Sequence, residues 1–264
     1  MASRSLAKRV WYNYLRILLR LGGVAIYHYR FTGRENQPRT GGALILSNHQ
    51  SHLDPMLVGM VFDRRMNYLA RQTLFKFPPL RWMLWSVDSI AIDRDGLGLS
   101  GLKETLRRVK HDELVLIFPE GTRSPDGEVA ILKPGFSALA KRVRAPLVPV
   151  GLDGAYQAWP RSRPYPRGGT IHIHVGQPIT PEEAHALDDR ALVALVEQRI
   201  RECHQIAREN RLRAIGELPA PASDRPKPVV AESLAAEIVV SGSALAAGEL
   251  IRNRRMAIPS VASD

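Results

Sequence analysis

The chain is 264 residues long and 45% hydrophobic, enough for one α/β domain with a proper core and some appendages. Its 37 basic side chains outnumber 26 acidic ones, and the net charge of +11 calls for anionic partners, either nucleic acid or an anionic membrane with phosphorylated substrates. No zinc pattern, aromatic–basic sheet motif or nucleic-acid module is present, which argues against nucleic acid, and the lone Cys203 excludes an internal disulfide and a multi-cysteine metal cluster.

The first predicted element is an N-terminal helix. On a wheel of about 100° per residue, Arg9, Asn13, Arg16 and Arg20 fall in an arc of roughly 60°. Val10, Trp11, Tyr14, Leu15, Ile17, Leu18, Leu19 and Leu21 cover the rest, and Gly22-Gly23 breaks the pattern. Two arginines in a segment well short of about 20 apolar residues argue against a spanning helix and against a cleaved signal peptide. A narrow basic stripe on an apolar helix suits a helix lying in the lipid interface. The competing arrangement docks it on the protein's own core with the arginines in water. Val24–Tyr29 fits either a continued helix or a first strand.

After Gly41-Gly42, the short apolar run Ala43–Ser47 reads as a buried strand. It ends in Asn48-His49. Asp54-Pro55 then reads as a helix start, Asp at the N-cap and Pro at the first helical position. His49 therefore lies in a strand-to-helix loop, where a sheet delivers reactive side chains into a crevice. There a neutral imidazole can take a proton from an alcohol, with Asp54 fixing the tautomer and stabilising the imidazolium. Taken alone, the pair also fits a helix cap beside a polar loop residue.

Met56–Phe62 continues as a short helix and Met66–Ala70 as the next strand. Thr73–Ser86 is apolar nearly all round, which fits core or an apolar slot that touches the membrane. Strands at Ser89–Ile92, Leu114–Phe118, Leu147–Val150 and Thr170–Val175 alternate with helices at Leu99–Lys110 and Gly135–Val143. That alternation indicates a mainly parallel sheet covered on both faces. His172 and His174 share one strand face; a metal there lacks a third ligand, and a solvated or hydrogen-bonded face is the preferred reading. Thr180-Pro181-Glu182-Glu183 is a capping box opening a long helix to about Asn210, with Cys203 as a small core residue on its apolar face. Glu217–Val230, with four prolines, reads as an extended linker. Ala231–Met256 has helical spacing and closes on Arg252-Asn253-Arg254-Arg255; it fits docking, pairing, lipid contact or disorder alike.

A second stretch repeats the architecture of the first: the strand ending at Phe118 runs into Pro119-Glu120-Gly121-Thr122-Arg123-Ser124. Together, Asn48-His49-x4-Asp54 and Phe118–Ser124 resemble the 1-acylglycerol-3-phosphate acyltransferase family, the bacterial-type glycerolipid acyltransferases. Ser89-Ile90-Ala91-Ile92-Asp93-Arg94 is similar to the family's second block and Val148-Pro149-Val150 to its fourth, so the likeness spans about residues 40 to 180. The second block departs from the pattern, with Asp88 where Gly is common and Ala91 where an aromatic is common. That departure bears on the acceptor lipid more than on the reaction.

The resemblance implies an α/β domain over residues 31–214 built on a mainly parallel mixed sheet covered by helices. Flanking it are the membrane-associating segment 1–30 and a Pro-rich linker with a helical or disordered tail over 215–264. The implied reaction moves a fatty acyl group from a thioester, acyl-CoA or acyl-ACP, to the free hydroxyl of a lysophospholipid. The foremost acceptor is 1-acylglycerol-3-phosphate, giving phosphatidic acid, with His49 as general base and Asp54 as its orienter. A thioester is already activated, so no covalent intermediate is required, although Ser51 and His52 leave an acyl-serine route open. Arg123 follows a turn where Gly121 permits close approach, and its guanidinium can hold phosphate bidentately. Lys133, at a predicted helix start, is a further phosphate candidate. The implied substrate-binding set is Asn48, Asp93, Arg94, Glu120, Gly121, Thr122, Arg123 and Lys133. No metal or other cofactor is implied. The expected setting is the cytoplasmic face of the cell membrane, peripheral or monotopic, with acyl carrier protein as a partner if it carries the donor. Alternatives are another lysolipid acceptor, such as lyso-ornithine lipid, and a thioesterase-type hydrolase.

Overall fold

Ala43–Ser47 is buried at every position because it is the middle strand of a sheet covered on both faces. A computed structural model describes residues 6–76, 78, 81, 82, 84, 89–92 and 98–219. The strands are β1 (Arg30–Thr32), β2 (Ala43–Ser47), β3 (Met66–Arg71), β4 (Ile90–Ile92), β5 (Leu114–Ile117), β6 (Leu147–Asp153) and β7 (His172–Val175). They form one sheet in the order β1-β7-β6-β2-β5-β3-β4, and all neighbours are parallel except β6 and β7. This is the expected α/β architecture.

Alternation along β2 builds the two cores. Ala43 and Ile45 face helix α2 (Asp54–Val61), joining Leu57, Val58 and Val61. Leu44 and Leu46 face the other way, toward α3 (Gly98–Lys110), α4 (Gly135–Val143) and α7 (Asp189–Ala214), where Leu139, Val196 and Ile200 pack. Each such side chain contributes about 1.5–3 kcal/mol by leaving water. The short α5 (Ala155–Ala158) follows β6, and α6 (Pro181–Ala186) opens on the expected Thr180 capping box.

Three expectations need correction. The long C-terminal helix is two, because Asp188 accepts from the Ala191 N–H at 2.7 Å and starts α7 afresh after Leu187. Gly22-Gly23 does not stop the first helix: α1 runs Leu6–Tyr27, and Gly23 lets it approach α2, where an added Cβ would lie 3.3 Å from Met60 Cε.

The third concerns which side of α1 is wet. Arg16 donates to the carbonyls of Phe62 and Asp63, at 3.2 and 2.6 Å, and Arg20 to Met60 O at 2.9 and 2.6 Å. These arginines satisfy the orphan carbonyls at the α2 C-terminus, the negative end of its dipole. Arg16 and Arg20 thus meet the protein, and Val10, Tyr14, Ile17, Leu18, Leu21, Val24 and Ile26 stand exposed on the far side. Trp82 is exposed too, with its ring edge-on to Trp11 at 5.5 Å. The expected element Thr73–Ser86 begins as a 3-10 turn, Gln72–Lys76, and is only partly within the described residues. The chain divides after Leu218, and the expected tail from Ala220 onward lies outside the described residues.

Candidate active site

The loop between β2 and α2 holds six residues, Asn48–Leu53, at the carboxyl end of the central strand. Asn48 is fully buried: its Nδ2 donates to Leu152 O at 2.9 Å and its Oδ1 accepts from Leu152 N–H at 2.8 Å. It ties the loop to β6 and presents nothing to a substrate, against the expectation.

Asp54 is the first residue of α2 and not its cap, since the N-cap position is Leu53. Its carboxylate turns back into the loop. One oxygen, Oδ2, accepts from His49 Nδ1 at 2.7 Å, Gln50 N–H at 2.6 Å and Ser51 N–H at 2.7 Å. A carboxylate only accepts, so Nδ1 carries a proton, and in the neutral ring the lone pair is on Nε2. His49 stacks on Phe118 with centroids 4.0 Å apart and planes 16° from parallel. Asp54 is fully buried while the His49 side chain stays 19% exposed.

The Phe118–Ser124 loop grips His49 by its backbone. Glu120 Oε1 accepts from His49 N–H at 2.9 Å, and Ser124 N–H donates to His49 O at 2.7 Å. Glu120 is buried, and that burial pushes its carboxyl up to about 7 against the pull of the His49 and Ala130 N–H groups. Expected to bind the acceptor, it is turned inward and holds the His49 backbone in place. Gly121, at φ 70°, cannot carry a side chain without strain, and an added Cβ would sit 2.9 Å from Lys133 Cδ. Lys133 therefore lies across this turn, fixed by its own N–H donating to Pro119 O at 2.9 Å.

Arg123 donates through Nη1 to His52 Nε2, and the His52 ring leans on Trp159 with centroids 5.0 Å apart. Burial, then the neighbouring Arg123 and His49, lower the His52 pKa, and facing a guanidinium its Nε2 is the acceptor. Thr122 is exposed in the same loop. Asp93 and Arg94 lie outside the described residues. Ser51 Oγ donates to Trp159 O at 2.7 Å and accepts from Leu53 N–H at 3.2 Å, in a fully buried side chain.

A family model described as Acyltransferase matches residues 28–153. The chain is also 31% identical over 196 residues to the 1-acyl-sn-glycerol-3-phosphate acyltransferase of Bacillus subtilis, covering 72% of this chain and 93% of that protein. This chain belongs to the 1-acylglycerol-3-phosphate acyltransferase family. Its likeness to the Pseudomonas aeruginosa protein of the same name is 34% over 163 residues, 60% of this chain and 62% of that one. A crystal structure of the 1-acyl-sn-glycerophosphate (LPA) acyltransferase PlsC from Thermotoga maritima shares the fold, with a TM-score of 0.68 over 79% of this chain and 84% of that one at 23% identity. The protein is accordingly an acyltransferase.

Two parts of this acyltransferase site escape a reading of the sequence. Phe118 supplies the surface under the imidazole, and only its place directly before Pro119 hints at that. The other is a buried polar chain behind the loop. Gln50 Nε2 donates to Gly127 O and lies 3.2 Å from His204 Nε2, which lies 3.3 Å from Asp153 Oδ1. Burial pushes the Asp153 carboxyl up, yet hydrogen bonds from His204 and Arg211 hold it down at about 2. A histidine on the apolar stripe of α7, beside Ile200 and Cys203, is the signal for this network.

Proposed function

We propose that the enzyme transfers a fatty acyl group from a thioester to the free hydroxyl of 1-acylglycerol-3-phosphate, giving phosphatidic acid. The observation that carries the reading is the 2.7 Å pair between His49 Nδ1 and a fully buried Asp54 carboxylate, with Nε2 left free of any partner among the described residues. Nε2 takes the proton of the acceptor hydroxyl as its oxygen attacks the thioester carbonyl carbon. The tetrahedral oxyanion then collapses, the C–S bond breaks, and the imidazolium returns the proton to the departing thiolate. Asp54 stabilises the imidazolium throughout. Ser51, buried and committed to Trp159 and Leu53, is poorly placed as a nucleophile, which favours direct transfer. Arg123 and Lys133 provide cations for the acceptor phosphate on the same loop that fixes the base. Residues 31–214 are the proposed catalytic domain. The donor is acyl-CoA or acyl-ACP, and no metal is needed.

The proposal places this chemistry at the cytoplasmic face of the membrane. No helix among the described residues is long and apolar enough to cross a bilayer. The exposed apolar side of α1, backed by arginines that face inward, suits a helix half-sunk in one leaflet. Labelled acyl-CoA and acyl-ACP, each given to the purified protein with 1-acylglycerol-3-phosphate, lyso-ornithine lipid or no acceptor, test the reading. Label in phosphatidic acid is expected. Label in lyso-ornithine product alone would reassign the acceptor, and free fatty acid without lipid product would make the protein a hydrolase.

A further inference from the structure

From Gly154 to Pro181 the chain has no Asp or Glu, and the segment Pro160-Arg161-Ser162-Arg163-Pro164-Tyr165-Pro166-Arg167 concentrates three arginines there. The Arg161 and Arg167 side chains are exposed and have no partner among the described residues, and Tyr165 is 77% exposed. The loop is nonetheless well held. Trp159 Nε1 donates to Arg163 O at 3.0 Å, Arg163 Nη1 to Gln157 O at 3.0 Å, and Arg167 N–H to Ala158 O at 2.8 Å. Three prolines fix φ besides, so its outward side chains are presented with little left to order on binding.

The loop joins two surfaces. On one side Gly169 N–H donates to Ile26 O at 3.3 Å and Ile171 N–H to Tyr27 O at 3.0 Å, seating it against the end of α1 beside the exposed Ile26. On the other, Trp159 accepts from Ser51 Oγ at 2.7 Å and packs on His52, the partner of Arg123. It thus runs from the apolar side of α1 to the rim of the His49 site.

We propose that residues 160–167 are a second, charge-reading contact with an anionic bilayer, on the strength of the reading above that the acceptor is drawn from a lipid surface. Unpaired guanidiniums meet phosphate headgroups, and an outward tyrosine between prolines sits at headgroup depth. An acidic protein would meet the arginines as well. It would leave unused the continuity with the exposed apolar residues of α1, and a bilayer engages both at once. With α1 as one foot and this loop as the other, the molecule has a defined tilt that turns the His49 rim toward the leaflet.

The test uses the full chain with Arg161→Ser and Arg167→Ser together, and separately Tyr165→Ala. Sedimentation with phosphatidylcholine vesicles, with and without phosphatidylglycerol, reads binding. Turnover of acyl-CoA, and separately of acyl-ACP, with a short-chain lysolipid in detergent reads the site. The double variant should bind phosphatidylglycerol vesicles roughly 10- to 30-fold more weakly at low salt. Its binding to pure phosphatidylcholine and its turnover in detergent should stay within about twofold of wild type. Unchanged binding to the anionic vesicles overturns the proposal. So does unchanged vesicle binding with a loss confined to acyl-ACP turnover, which would make the loop a dock for the acidic carrier. Should the wild type turn over no lysolipid at all, the acyltransfer reading fails while the vesicle measurement still decides the role of the loop.

Discussion

In the proposed reaction His49 serves as the base with its Nδ1 hydrogen resting on Asp54, and three N–H groups converge on that one carboxylate oxygen. His49→Ala should slow turnover about 10²- to 10⁴-fold with an unchanged melting temperature. Asp54→Asn should cost as much, because an amide can offer a donor where only an acceptor fits. Arg123→Ala should raise KM for the phosphate-bearing acceptor about 10- to 100-fold and leave the KM for acyl-CoA nearly unmoved. Glu120 adds a pH dependence to stability. Its folded pKa of about 7 lies above the ordinary 4.5, so the folded state holds the proton more tightly. Its contribution is fully present below pH 4.5 and is lost as pH rises through about 7. Denaturant unfolding of wild type and Glu120→Gln, which keeps an acceptor for His49 N–H, should therefore diverge by roughly 2–3 kcal/mol across that window. Residue chemistry of this kind is legible in the sequence where a reaction dictates residue types at short spacing, as with His49, Asp54 and the Phe118–Ser124 run. The inward turn of Glu120 and Asn48 is not, because only tertiary contacts with His49 and Leu152 decide which way those side chains face.

Among the elements, α1 teaches the most. A helical wheel identifies the arc shared by Arg16 and Arg20 but not which arc meets the protein. The answer lies with the carbonyls left open at the end of α2, 40 to 47 positions away in the chain. Arg20→Ala should lower unfolding stability by about 1.5–3 kcal/mol, the worth of charged hydrogen bonds to partly buried carbonyls. A headgroup-facing arginine would leave the unfolding midpoint where it was. Strand β1 has three residues, too few to signal itself, and it pairs with β7 from across the chain. The stop between α6 and α7 hides because Asp188 sits among other acids of a helix-forming run.

At the scale of the whole molecule, basic composition points toward anionic partners, and the exposed side of α1 points toward lipid. Leu18→Glu with Leu21→Glu places two charges where the apolar face would sink. Binding to phosphatidylcholine vesicles should fall at least about 10-fold, with no change in melting temperature because both side chains already face out.

Helix α2 has eight residues, about 12 Å from end to end. Asp54 stands at its first position, and the carbonyls that seat Arg16 and Arg20 cluster at its last turn. A strut so short transmits strain with little slack, so the proposed grounding of α1 on a leaflet should be felt by the His49–Asp54 pair. Amide hydrogen exchange at Gln50 and Ser51, whose N–H groups donate to Asp54, should slow when vesicles are added, although neither residue need touch a lipid.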